Sequence, residues 1–65
     1  MELYIVRVNS GRRKKKIYMG GDDFSAILEK ISSLYGDGDV VDITYDADLN
    51  RKFHKGFVPK NIIYA

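Results

Sequence analysis

The stretch Asp22–Tyr35 has the spacing of an amphipathic helix. We predict that it is the only helix of the chain, with Asp22 capping its first turn and Gly36 ending it in a left-handed conformation. A lone helix can bury its apolar side chains only against the segments before and after it. The apolar stripe consists of Phe24, Ile27, Leu28, Ile31, Leu34 and Tyr35.

The segments before this helix have the pattern of a β-hairpin. Glu2–Asn9 is apolar on both faces, which is typical of a central strand, and Asn9–Gly11 is a turn signal. Lys14–Met19 is predicted to return antiparallel to the first strand. The cations of Arg12–Lys16 resist burial, so we expect the tip of the hairpin to project into solvent.

The segments after the helix predict a second pair of strands, after a loop at Gly36–Asp39. Val40–Ala47 alternates between apolar and polar residues, Ala47–Asn50 can turn the chain, and Arg51–Val58 is predicted to return as a fourth strand. Asn61–Tyr64 is either a short closing strand or a 3₁₀ turn. The side chains expected to face the core from the third strand are Val41, Ile43, Tyr45 and Ala47.

The predicted fold class is therefore α+β: a small antiparallel sheet with one helix packed on one face, in the order β-β-α-β-β. The 65 residues form a single domain, and the absence of cysteine excludes disulfides and cysteine-ligated zinc. A chain of this length has little room for both a scaffold and a substrate pocket. No metal set, phosphate loop or activated nucleophile is recognisable, so we predict no enzyme activity and no cofactor.

Charge is distributed unevenly along the chain. Residues 1–20 carry a net charge of +5, residues 21–50 a net charge of −7, and residues 51–65 a net charge of +4. Such asymmetry is typical either of a bipolar surface with a polyanion site or of a mixed surface that keeps a small protein soluble. No apolar run has the length of a membrane span, so we expect a cytoplasmic protein without membrane contact.

The cationic hairpin tip, Arg12–Lys16, favours binding of DNA or RNA, since each phosphate contact displaces a condensed counterion. The alternative is a solvated turn whose charges discourage aggregation. Arg51–Phe57 interleaves cations with aromatic rings, although Phe53 and Phe57 also suit a core. If the two predicted hairpins lie side by side, both basic segments share one surface. The predicted nucleic-acid-binding residues are Arg7, Arg12, Arg13, Lys14, Lys15, Lys16, Tyr18, Arg51, Lys52 and Lys55.

A second hypothesis is a protein-binding module, such as a small inhibitor or adaptor. It would dock on its partner protein by a sheet edge or by an acidic face that includes Asp42 and Asp46. Self-association into a homodimer through a strand edge is compatible with both hypotheses.

The segment Gly56-Phe57-Val58-Pro59-Lys60-Asn61 resembles the C-terminal segment of SH3 domains. The resemblance implies an alternative fold, an SH3-like small barrel with a helical insertion, in which Asp39–Lys55 is the distal hairpin. It covers at most the last third of the chain. The chain has no Trp and has Ile62 at the position of the tyrosine that follows the Asn in that family. We therefore do not extend the resemblance to binding of proline-rich peptides.

Overall fold

The computed structural model describes residues 1–36 and 38–65; Asp37, in the predicted loop, lies outside the described residues. The described residues form an α+β domain with a sheet of four strands and two helices. The elements in chain order are β1 (Glu2–Ser10), β2 (Arg13–Gly21), α1 (Phe24–Leu34), β3 (Val40–Tyr45), α2 (Ala47–His54) and β4 (Ile63–Tyr64).

The sheet has the strand order β3-β1-β2-β4, so β1 is internal, as its apolar character on both faces predicts. β1 pairs antiparallel with both neighbours. β4, the short closing strand, pairs parallel with β2, so the sheet is mixed and the prediction of a purely antiparallel sheet is wrong. Since β3 and β4 are the two edges, the described strands form an open sheet and not the barrel of the alternative fold.

The predicted hairpin is confirmed and is longer than expected, pairing from Glu2 with Gly21 to Ser10 with Arg13. Gly11 and Arg12 form the two-residue turn. The φ angle of Gly11 is 64°, which is typical of the first central position of a hairpin turn with glycine there. The tip is exposed to solvent, as the run of cations predicts.

Helix α1 is confirmed, but both of its ends differ from the prediction. Asp23, not Asp22, is the N-cap, and its carboxylate accepts a 2.8 Å hydrogen bond from the Ala26 amide. At the other end Tyr35 is extended and donates its N–H to the Ile31 carbonyl. Gly36 therefore has no left-handed role, because the positive φ angles among described glycines belong to Gly11 and Gly56.

The main core lies between α1 and one face of the sheet, and α1 contributes only Ile27 and Ile31 as buried residues. Phe24, Leu28 and Leu34 remain 46%, 43% and 47% exposed, so the predicted stripe is too wide. The physical reason is that α1 packs closely on β2: a Cβ on Gly21 would lie 2.9 Å from Ile27 Cδ1. The buried core residues from the strands are Val6, Val8, Ile17 and Met19.

Helix α2 replaces the turn and the first half of the predicted fourth strand, and its second half is not a strand either, so that prediction and the single-helix prediction are wrong. Asp46 is its N-cap, accepting a hydrogen bond from the Leu49 amide at 2.9 Å. Asp48 lies in the first turn, and Arg51 and Lys52 lie in the last turn. The helix dipole favours a negative charge at the first turn and positive charges at the last turn. These local signals outweigh the weak strand pattern of Arg51–Val58.

Asn50 anchors α2 to the sheet. It is 2% exposed, and its amide oxygen accepts from the Leu3 N–H at 2.6 Å while its amide nitrogen donates to the Leu3 carbonyl at 2.9 Å. Tyr4 is the last β1 residue paired with β3, so Asn50 satisfies the backbone of Leu3 where β3 has ended. The Asn50 side chain therefore forms the two backbone hydrogen bonds that a longer neighbouring strand would otherwise form with Leu3.

The two helices lie on opposite faces of the sheet. α1 connects β2 to β3, and α2 with its following segment returns from β3 to β4, so right-handed crossovers require opposite faces. Burial agrees with this: Val6 and Val8 face the α1 core, whereas Leu3, also fully buried, lies on the other face of β1. We call these the α1 face and the α2 face.

Strand β3 is less buried than its alternation predicts. Ile43 is half-buried, while Val41 and Tyr45 are each 52% exposed, which corrects the predicted core list. β3 is an edge strand, and its register with β1 shifts between Arg7 and Val8. Because of this irregularity, Val41 has no paired residue on β1, and the side chains of β3 no longer alternate regularly between the two faces of the sheet. Ala47, predicted to face the core from the third strand, is instead the first residue of α2 and is exposed. In the described part of the chain, neither helix has the length and apolar character needed to cross a membrane.

Candidate nucleic-acid interface

The strongest concentration of positive charge is the segment Arg12–Lys16, which we call the basic arm. Arg12 lies in the turn, and the other four residues lie on β2, all exposed. Because side chains alternate along a strand, Lys14 and Lys16 lie on the α2 face and Arg13 and Lys15 on the α1 face. The arm therefore presents cations on both faces of a two-stranded ribbon.

The basic arm is not neutralised by any described carboxylate. The ion pairs among residues 1–36 and 38–65 are Arg7–Asp42, Arg51–Asp48 and the His54–Glu2 contact, and none includes an arm residue. Unpaired cations held on a strand can contact phosphates without first breaking an internal ion pair. This property separates the arm from the other predicted basic residues.

Arg7 lies beside the arm, opposite Lys16 in the hairpin register. Its Nη1 is 3.1 Å from Asp42 Oδ1 and 3.5 Å from Thr44 Oγ1, and both charged side chains are about half exposed. A surface pair of this kind contributes under about 1 kcal/mol, so a phosphate can compete with Asp42 for Arg7. Arg7, Lys14, Lys16, Val41 and Asp42 line one shallow concave surface.

A second concave surface lies on the other side of β2. It is lined by Lys15, Lys16 and Tyr18 of β2 and by Lys60 and Asn61 of the segment before β4. The Nζ atom of Lys16 is 5.3 Å from the centroid of the Tyr18 ring. We call this group the edge site. It combines Tyr18 with two arm residues and adds Lys60, which is not among the predicted nucleic-acid-binding residues.

The basic residues of α2 form a separate region. Asn50 is bonded to Leu3, whereas Lys14 pairs with Asn9, and six residues of strand span about 20 Å. The prediction of one surface shared by the two basic segments is therefore wrong for α2, because Arg51–His54 belongs to an anchored helix and not to a strand beside the hairpin. Arg51 also pairs with Asp48 at 3.0 Å, and both line a concave surface with Lys52 and Lys55.

The aromatic residues of the C-terminal half divide between core and surface. Phe53 is half-buried, with its ring centroid 6.0 Å from that of His54, whereas Phe57 is 50% exposed. Neither lines the two concave surfaces described above that contain arm residues. Tyr18 is therefore the aromatic side chain of the predicted set that the structure combines with unpaired lysines.

A cluster of titratable groups lies at the end of β1 away from the arm. Tyr45 donates its hydroxyl to Glu2 at 3.2 Å, and His54 Nε2 lies 3.7 Å from the other Glu2 oxygen and 2.9 Å from the Met1 carbonyl. Partial desolvation, then the hydrogen bond to Glu2 and its negative charge, raise the pKa of Tyr45. Residues 1–36 and 38–65 contain no group of three or more His, Asp and Glu side chains placed to hold a metal ion.

Comparison of this chain with protein-family models, with curated proteins and with solved structures gave no match. The likeness of Gly56–Asn61 to SH3 domains thus remains a resemblance of one segment.

Proposed function

We propose that this protein is a small accessory module that binds nucleic acid through the basic arm. The observation that carries the proposal is the set of consecutive, exposed cations at Arg12–Lys16 that no described carboxylate neutralises. The hairpin holds them on the surface, away from the end where Asn50 of α2 bonds to Leu3. DNA and RNA are both compatible with this chemistry, because the contacts are made to phosphates.

The geometry of the arm supports phosphate contacts on two sides. A two-stranded ribbon with cations on both faces fits between two phosphate backbones, and a major groove admits such a ribbon. Arg7 and Tyr18 flank the arm, while Arg51, Lys52 and Lys55 would contact only a ligand that extends about 20 Å along β1. This role requires no catalytic residue or cofactor, and we propose that the protein performs it in the cytoplasm.

The test compares two triple variants that remove the same charge. Lys14→Gln/Lys15→Gln/Lys16→Gln alters the arm, and Arg51→Gln/Lys52→Gln/Lys55→Gln alters α2. Binding of fluorescent DNA and RNA oligonucleotides is measured by anisotropy at several salt concentrations. We expect the arm variant to lose affinity by at least about tenfold and its salt slope on single strands to fall by about 2. The α2 variant should lose less.

Two results would contradict the proposal. One is the absence of binding by the unaltered protein at low salt. The other is an equal loss in both triple variants, which would indicate a general effect of net charge. Far-ultraviolet circular dichroism of each variant verifies that the fold is retained.

A second candidate function is protein binding at the β3 edge, and a specific cluster favours it. The ring centroid of Tyr4 lies 5.7 Å from that of Phe24 and 5.8 Å from that of Tyr45, and the latter two rings are about half exposed. The outer side of β3 has no described strand partner, so a partner protein or a second copy could add a strand there.

A protein that co-purifies after nuclease treatment and is lost in the Asp42→Asn variant would favour this second candidate. Asp46 is unsuitable for the same test, because its carboxylate caps α2 and its removal would perturb the fold.

A further inference from the structure

We infer that the edge site binds an unpaired nucleotide, with the base stacked on Tyr18 and a neighbouring phosphate held by Lys16 and Lys60. The inference rests on the proposed function and makes it more specific: the preferred ligand is single-stranded nucleic acid. It depends on three features of the outer side of β2.

The first feature is an open strand edge. β4 pairs with β2 only at Met19 and Gly20, so β2 has no described strand partner on this side before Met19. The Gly20 carbonyl points to this edge, since it accepts from the Ala65 N–H at 2.7 Å. Backbone direction alternates along a strand, so the N–H of Lys16 points the same way. It is available as a donor to a phosphate oxygen.

The second feature is the position of Lys60. Pro59 is buried, and Asn61 has a φ angle of 58°, so both neighbours of Lys60 have defined conformations. This backbone holds Lys60 across from Lys15 and Lys16 on the concave surface. Three lysines from two segments, Lys15 and Lys16 of β2 and Lys60, therefore line this edge, and no described carboxylate pairs with any of them.

The third feature is the Tyr18 ring. It is half-buried, which fixes its orientation, and it lies on the α2 face of the strand that carries Lys16. A base can stack on such a ring only if its own faces are free, as in a single strand; a duplex offers phosphates but keeps the faces of its bases covered. The ring therefore discriminates between the two forms of nucleic acid, which lysines alone do not.

The test measures the affinity of a 12-nucleotide oligothymidine and of a duplex of the same length at one salt concentration. Tyr18→Leu is expected to weaken binding of the single strand by about tenfold and to leave duplex binding within about twofold. Tyr18→Phe keeps the ring and should bind as the unaltered protein does. Tyr64→Leu removes an exposed tyrosine of β4 and is the matched control.

Lys60→Gln gives a second, independent measurement, since this side chain is exposed and its loss should not affect folding. We expect the salt slope for the single strand to fall by about 0.7. Equal effects of Tyr18→Leu on both ligands, a preference of the unaltered protein for the duplex, or an unchanged slope in Lys60→Gln would overturn the inference. If the arm variant loses binding but Tyr18→Leu has no effect, the inference about the edge site is wrong while the proposed function stands. Absence of all binding would overturn the proposed function too.

Discussion

The two ends of the β1–β2 hairpin differ in almost every physical respect. At the end formed by Glu2 and Gly21, both helices begin, Asn50 satisfies the backbone of Leu3, and Gly21 packs against α1. At the other end a two-residue turn is followed by the basic arm, and the charged side chains are exposed. We call these the anchored end and the free end.

In this 65-residue domain, the residues that anchor α2 are thus separate from the residues proposed to bind nucleic acid. A thin core tolerates few buried charges, and the cations of the basic arm are all exposed. At the anchored end, Asn50 bonds to Leu3 and Gly21 lies against Ile27 of α1. Substitutions there should affect unfolding, whereas substitutions at the free end should affect binding.

The largest effect is expected for Asn50→Ala. The substitution leaves the Leu3 N–H and carbonyl without their partner in a buried position, and we expect the free energy of unfolding to fall by about 3 kcal/mol. Urea denaturation followed by circular dichroism measures this. Lys14→Ala, at the free end, is the control and should change stability by no more than about 0.5 kcal/mol. A loss under about 1 kcal/mol in Asn50→Ala would contradict the contrast between the ends.

A smaller effect is expected at the start of α1, which follows directly from the anchored end of β2. Asp23→Ala removes the cap on the Ala26 amide and should lower the free energy of unfolding by about 1 kcal/mol. Asp22→Ala removes the same charge one residue earlier and should have little effect, because Asp22 is not the cap. Urea denaturation of both variants distinguishes the residues. Equal losses would mean that charge near the helix, not the hydrogen bond, is responsible.

The hairpin and α1 could be predicted because their signals are local. The alternation of Glu2–Asn9 and the spacing of Ile27 and Ile31 fix the type of each element. Helix α2 was not predicted, since its eight residues are short and its key contact, from Asn50 to Leu3, joins residues far apart in the chain. The Asp46 cap and the charges at the two ends of α2 are local signals that favour a helix, but they are weaker than the apolar periodicity of α1.

The candidate site was predictable to a similar extent. The run Arg12–Lys16 is visible in the sequence, and its exposure follows from its charge. The role of Lys60 depends on the parallel pairing of Met19 with Ile63, which no local pattern indicates. The separation of α2 from the arm likewise follows from the replacement of a strand by a helix.

The smallest effect concerns a proton at the anchored end. The raised pKa of Tyr45 means that the folded state favours the neutral hydroxyl. The resulting stabilisation is fully present below the ordinary tyrosine pKa of 10.0 and is lost as the pH rises through the higher pKa of the folded state. Tyr45→Phe should therefore abolish a late step in the tyrosinate absorbance titration and reduce the loss of stability above about pH 10.

Glu2→Gln tests the cause of this shift, because it keeps a hydrogen-bond acceptor near Tyr45 and removes the negative charge. The late titration step should move toward lower pH, while desolvation, the first cause of the shift, keeps it from moving fully to the ordinary value. Tyr64→Phe, on the opposite edge strand, serves as the control and should leave the step in place. If the late titration step survives in Tyr45→Phe, it belongs to another tyrosine. The raised pKa would then not be a property of Tyr45 at the anchored end.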